Sequence, residues 1–263
     1  MAAAVLSAAA AVAWVEDADL SGRDVVFLGE VHDNPIHHAH QAEAVRTLRP
    51  AAVVFEMLTP KQAARVNGYV VLPASDALAR ALDWAESGWP DFAMYHPVFA
   101  AAHAADARVY GTTLPRARLT RAMEGALGEA FGEGAARFGL DRALDADEQA
   151  SRVALQAAAH CDALPEAMLP GMVAVQRLRD AHIARTALAA LEETGGPVAV
   201  ITGSGHARTD WGAPALLARA APEAAVFAVG QLEEDAAADA PPFDLLVTTA
   251  AAEREEDPCA RLR

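Results

Sequence analysis

The chain has 263 residues, a formal net charge of −15 and an apolar fraction of 53%. That length suits a single α/β domain carrying an insertion, and the apolar share is ample for its core. The acidic balance argues against nucleic acid, whose binding rests on cationic contacts to phosphates, and against attachment to anionic membrane surfaces.

Residues 2–13 are a small apolar run with Ala11-Val12-Ala13 near its end. Two readings stand: an export signal with a small-residue cleavage site, or an Ala-rich helix. No Lys or Arg precedes the run and no Cys follows it to carry a lipid. No other segment is long and apolar enough to span a membrane. A first strand is predicted over residues 24–29, nearly continuous in apolar residues. Asn34 then offers a cap and Pro35 a first helical position, so a helix is expected to run to about Leu48, where Pro50 ends it. A second strand over 52–56 completes a compact βαβ unit. Residues 59–105 read as helical with breaks at Pro73 and at Ser87-Gly88-Trp89-Pro90. A third strand is predicted over 108–111.

Residues 115–193 show no convincing strand and read as an inserted helical subdomain that ends in a long helix over about 172–193. Gly195-Gly196-Pro197 stops it. Strands are then predicted over 198–203, 225–229 and 243–248. Continuous apolar strands are the mark of a sheet covered on both faces. The expected fold is therefore α/β: a mostly parallel central sheet with helices on both faces and a helical insertion. The organisation expected is an N-terminal segment over 1–20, a single domain over 21–250, and a polar, fraying tail over 251–263. A disulfide between the cysteines, Cys161 and Cys259, is open from the sequence. They read as unpaired thiols because Cys259 sits in that tail.

Chemistry-bearing residues gather after the predicted strands. The first ends in Gly29-Glu30-Val31-His32, the fourth in Gly203-Ser204-Gly205-His206, and the second in Glu56. Polar groups at the carboxyl ends of strands are where open α/β sheets keep their sites. Glu30 and His32 are two apart and point to one side of an extended segment. His37 and His38 follow in the first helical turn, whose free N–H groups favour an anion. His40 reads as solvated. Glu30, His32, Glu56 and His206 form a carboxylate–imidazole set, expected to meet on one rim of the sheet. It suits a divalent metal held by His32, Glu56 and His206, metal-free acid–base catalysis, or a purely structural network. Arg116 follows the third strand and is placed to reach the same edge. Gln176 and Asp180 share a face of the long helix. Tyr95 and its neighbour His96 lie in an aromatic cluster with Trp84 and Trp89 that reads as core rather than pocket.

Gly29-Glu30-Val31-His32-Asp33-Asn34-Pro35 with His37-His38, the strand ending Glu56-Met57, Tyr95-x-Pro97, Gln176-x-x-x-Asp180 and Gly203-Ser204-Gly205-His206 together resemble the ChaN-like haem-binding family. That family lies within the wider Tiki/TraB/erythromycin-esterase superfamily. The resemblance runs in order from about Asp24 to about Leu217. It implies haem as cofactor, a role in iron acquisition with an uptake partner, and a periplasmic or membrane-associated place. The chain departs from exported lipoproteins of the family in having neither a basic start nor a lipobox cysteine, which leaves a cytoplasmic place open. Tyr95, His96, His37 and His38 are then candidate iron ligands, and Arg116 a partner for a propionate. Phe92, Met94, Trp84 and Trp89 would form an apolar platform, placed between two subunits of a homodimer. The superfamily's hydrolases imply the competing reading: an esterase- or peptidase-like enzyme using Glu30, His32, Glu56 and His206, with or without metal. A third reading is a binding partner without turnover.

Overall fold

A computed structural model describes residues 18–236 and 242–261. The apolar run over 2–13, and with it the export-signal reading, lies outside the described residues up to position 17. Among the described residues, six parallel strands form one sheet: β1 (Val25–Glu30), β2 (Ala52–Phe55), β3 (Arg108–Gly111), β4 (Val198–Gly203), β5 (Val226–Glu233) and β6 (Leu245–Thr249). Their spatial order is β3-β2-β4-β1-β5-β6, every neighbouring pair parallel. The predicted α/β class with a parallel sheet is the fold that forms.

The continuous apolar strands are explained by cover on both faces. Val26 and Leu28, with Val53, Phe55 and Ile201, pack under α1 (Pro35–Leu48), α2 (Pro60–Asn67) and α4 (Phe92–Ala104), with α3 (Ser75–Ala81) beside them. Phe55 and Phe99 stack with ring centroids 4.4 Å apart. The alternate residues Val25, Phe27, Val54, Val198 and Val200 face the other way. They meet α8 (Leu169–Thr194) and α9 (Ala213–Ala220). Between β3 and α8 the chain forms α5 (Arg116–Met123), α6 (Leu127–Phe131) and α7 (Ala146–Ala159). No described helix is long and apolar enough to cross a membrane.

Helix α1 starts as expected, with the Ile36 N–H donating to Asn34 Oδ1 at 3.0 Å and Pro35 in the first turn. Its buried face is unusual, carrying His37, His38, His40 and Gln41. That face lies over the ends of β1 and β5, where polar partners wait. Gln41 Nε2 donates to Leu28 O, and Gln231 Nε2 donates to Gly29 O. The expectation that His40 is solvated is corrected: it is buried, with Nδ1 at 2.7 Å from Gln231 Oε1.

Other expectations are corrected at the C-terminus. The last strand is Leu245–Thr249, not 243–248, because Phe243 instead lays its ring on Gly230. A Cβ at Gly230 would fall 2.2 Å from that ring. The fifth strand runs on to Glu233. The tail does not simply fray. Arg254 forks onto Asp33 (2.6 and 2.7 Å) and Glu233 (2.9 Å). The cysteines are not free thiols: Cys161 and Cys259 form a disulfide, their Cα atoms 5.6 Å apart. Chain spacing hides this, because 98 positions separate them.

Candidate functional site

β4 threads between β1 and β2, so the strand ends carrying Glu30, Gly203 and Glu56 lie side by side. Register places Glu30 opposite Gly203. The Gly203 turn then brings His206 back over the same rim. The four residues read as a set from the sequence are thus brought together.

Glu56 is buried and fully engaged. Thr202 Oγ1 donates to its Oε2 at 2.7 Å, the Gly203 N–H donates to the same oxygen at 2.9 Å, and Oε1 is 3.4 Å from His206 Nε2. Burial pushes its carboxyl up, but the His206 charge and these bonds outweigh that and hold it well below the usual carboxylate range. His206 faces a second carboxylate, with Nδ1 at 2.6 Å from Asp180 Oδ1 and the Gln176 amide 3.1 Å from the same nitrogen. Burial works against its charge, yet Glu56 and Asp180 raise its pKa to about 10. His206 is therefore an imidazolium at neutral pH. Burial raises the Asp180 carboxyl, against the pull of that imidazolium.

The other half is built on Glu30. His32 Nδ1 donates to Glu30 Oε1 at 2.8 Å, and the Tyr95 hydroxyl donates to the same oxygen at 3.1 Å. His38 Nδ1 lies 3.3 Å from Glu30 Oε2 and from Gln41 Oε1, while its Nε2 donates to His32 O at 2.9 Å. Burial opposes the charge on both His32 and His38, and Glu30 reverses it, so both are raised. His37 is the opposite case. Its Nδ1 accepts the Val31 N–H at 2.8 Å and its Nε2 meets Thr249 Oγ1 at 2.8 Å. Burial lowers it to about 4, so it is neutral.

Exposure separates these groups. His37, His38 and Tyr95 are completely buried, with ring nitrogens or hydroxyl already bonded. Burial and the Glu30 charge keep the Tyr95 phenol protonated. His96 is half-buried, with Nε2 at 3.1 Å from Pro73 O. Arg116 is exposed at the start of α5. His32 alone of the Glu30 cluster opens outward: 37% of its side chain is exposed and its ring meets Trp89 edge-on at 4.8 Å. Among the described residues nothing hydrogen-bonds His32 Nε2. The space beside that nitrogen exists because residue 203 is glycine, since a Cβ there would sit 3.0 Å from it. Next to it, a groove of about 500 Å³ is lined by Trp84, Trp89, Pro90 and Phe92, with Arg80, Asp83, Glu86 and Asp91 also lining it.

Among the described residues, no group of three or more His, Cys, Asp or Glu side chains is arranged to hold a metal ion. His32, Glu56 and His206 are neighbours but not a ligand set, because His206 is tied to carboxylates at both nitrogens. Sequence reasoning missed Gln231 and Thr249, which satisfy the buried histidines, and Arg254, which clasps Asp33 beside the site. A polar residue inside an apolar strand was the available signal for Gln231.

A family model described as "Haem-binding uptake, Tiki superfamily, ChaN" matches residues 18–217. The chain belongs to the ChaN family. No curated protein matches it. Among solved structures, "Cofacial heme binding to ChaN of Campylobacter jejuni" is similar at 17% identity and a TM-score of 0.61, over 84% of this chain and 85% of that one. At that identity the likeness shows that the ChaN fold is shared. An erythromycin esterase mutant in its open conformation is similar at 13% identity and a TM-score of 0.45, over 81% of this chain and 71% of that one. A succinoglycan biosynthesis protein is similar at 11% identity and a TM-score of 0.41, over 81% and 67%. Neither is near enough to bear on function.

Proposed function

We propose that this ChaN-family chain binds haem at the open rim of the sheet, with His32 as the axial ligand of the iron. The observation that carries this reading is the single outward-facing imidazole in an otherwise closed polar cluster. A bound haem supplies an iron with free axial positions and a large apolar face. His32 fits the first need. Its Nδ1–H is held by Glu30, so that loss of the Nε2 proton would leave Nε2 as the donor atom, the usual orientation of a ligating histidine. Tyr95 and His38 hold that carboxylate in turn. The groove beside Trp89 fits the second need. Tyr95, His37 and His38 thus act as supports for the ligand, not as ligands. A homodimer closing over the haem face, and an uptake partner that takes haem onward, belong to this reading through the family. The Cys161–Cys259 disulfide favours the periplasmic alternative over the cytoplasmic one, because structural disulfides persist in oxidising compartments.

The hydrolase reading has less support. In its metal-free form, one candidate base, His206, is held protonated between Glu56 and Asp180, which removes it as a general base near neutral pH.

Titration of the protein with haemin, followed by visible absorption, tests the proposal. The expected result is a saturable Soret shift with the signature of nitrogen ligation. His32→Ala is expected to weaken binding at least about tenfold, the loss of a ligand bond worth more than about 1.4 kcal/mol, and added imidazole to restore the spectrum. An unchanged spectrum in His32→Ala would overturn the assignment of the ligand. No saturable change in the parent would overturn haem binding itself. Sedimentation with and without haemin reads the dimer, and thiol alkylation of the protein from its own cell reads the compartment.

A further inference from the structure

A cleft of about 690 Å³ lies where the loop before α7 meets α8 and α9. That volume is typical of small-molecule sites, which run from about 300 to 1,000 Å³. On a chain of net charge −15, its wall carries Arg142, Arg152, Arg177 and Arg219. The carboxylates along it are already engaged. Asp145 caps α7 by accepting the Glu148 N–H at 2.8 Å, Glu148 pairs with Arg152, and Asp210 pairs with Arg208 at 2.6 Å. Among the described residues no carboxylate forms an ion pair with Arg142, Arg177 or Arg219. The rest of the wall includes apolar residues, Phe138, Leu140, Leu144 and Leu216.

We propose that this cleft binds a small amphiphilic anion: an organic molecule with a carboxylate or phosphate head on an apolar body. The side chains of Arg177, Arg219 and Arg152 are each set by a neighbour. Gly139 adopts φ +70°, and its carbonyl accepts from Arg177 Nη2 at 3.2 Å, while the Arg142 carbonyl accepts from the same nitrogen at 2.8 Å. The glycine also lets Arg219 lie close, since a Cβ at 139 would sit 3.4 Å from its Nε. Arg152 is fixed by Glu148 on one side and by the Trp211 ring, 4.9 Å away, on the other. Burial, and next the charge of Arg152, work against the protonated form of Arg177, a strain that a bound anion relieves. Arginine forks suit carboxylate and phosphate heads, in which two oxygens are presented together. The apolar wall has no role in holding a bare inorganic ion, so it selects for a body attached to the head.

Isothermal titration of the full chain with octanoate and with octyl phosphate tests this, with 1-octanol and inorganic phosphate as comparison probes. At least one amphiphilic anion is expected to bind saturably, and whichever binds more tightly identifies the head. Octanol and inorganic phosphate are each expected to bind at least about tenfold more weakly, since one lacks the charge-assisted bonds and the other the apolar body. Arg142 and Arg219 are exposed, so Arg142→Ala and Arg219→Ala should melt like the parent and lose affinity by about fivefold or more each. Haemin titration should be unchanged by saturating octanoate or octyl phosphate, which separates the cleft from the His32 site. Absence of saturable binding by both anions, equal binding of octanol or inorganic phosphate, or full affinity in both variants would overturn the proposal. Competition with haemin would show instead that the cleft is part of the haem site.

Discussion

His206 carries the clearest consequence at the scale of a single residue. A buried imidazole between Glu56 and Asp180 is raised to about 10, from an ordinary 6.5. A raised histidine contributes stability that is fully present below its unfolded pKa and is lost as pH rises through its folded one. The melting temperature is therefore expected to fall steadily between pH 7 and about 9.5. Glu56 acts at the other end: its share is present above 4.5 and disappears only in strong acid. Asp180 has the opposite sign, because burial raises it, and it offsets part of the gain. His206→Gln should remove the alkaline decline. It should also cost about 3–5 kcal/mol, because it leaves buried carboxylates without their cation. His206→Gln with Asp180→Asn should recover part of that loss. Thermal melts across pH check all of this, and an alkaline decline that survives in His206→Gln would place its cause elsewhere.

The turn from β1 into α1 is the element that assembles the site, and Asn34 is its hinge pin. Its Oδ1 caps the helix, while its Nδ2 donates to Glu233 Oε1 and to Ala250 O, each at 3.0 Å. Asn34→Ala should cost about 2 kcal/mol, combining a lost cap with buried acceptors left short of a donor. Asp caps a helix as well as Asn does, yet Asn34→Asp should cost more than Asn34→Ala, since it sets a carboxylate against Glu233. Urea denaturation of the two variants decides the order. The cap itself was legible in the sequence: a strand, a glycine, Asn34, Pro35 and an Ala-rich helix follow local rules. So were the strand ends that converge, because a parallel sheet aligns its carboxyl ends. The second role of Asn34 was not, since Glu233 and Ala250 lie about 200 positions on. The tertiary partners of His37, His38 and Tyr95, candidate ligands through the family resemblance, were hidden for the same reason. Residue type and spacing show that a polar group is present, but only tertiary contacts show that Thr249 already bonds His37 and that Glu30 engages His38 and Tyr95. The start of β6 was missed similarly: apolar composition extends back to Phe243, and the open space over Gly230 captures that ring.

Across the whole molecule, the tail is held by two tethers of different kinds. Arg254 clasps Asp33 and Glu233 at the rim of the sheet, and Cys259 is bonded to Cys161 after α7. The Arg254 hydrogen bonds lower Glu233 to about 2, so the clasp stays charged down to acid pH. A bridge over 98 positions restricts the unfolded chain strongly, by about 4–5 kcal/mol in the loop-entropy account. That full value is realised only if the tail unfolds together with the domain. Either tether is enough to make it do so: the clasp ties the tail to β5 and to the β1–α1 turn, and the bridge ties it to the chain after α7. Cys161→Ser with Cys259→Ser should therefore lower stability by about 2–4 kcal/mol, or roughly 5–15 °C in Tm. Arg254→Ala in the oxidised protein should cost about 1 kcal/mol, since the disulfide still keeps the tail near its seat. Removing both tethers should cost more than the sum, because each covers for the loss of the other. A double-mutant cycle measures that coupling. If the losses simply add, the disulfide and the clasp stabilise separate parts of the molecule, and the tail does not unfold with the sheet.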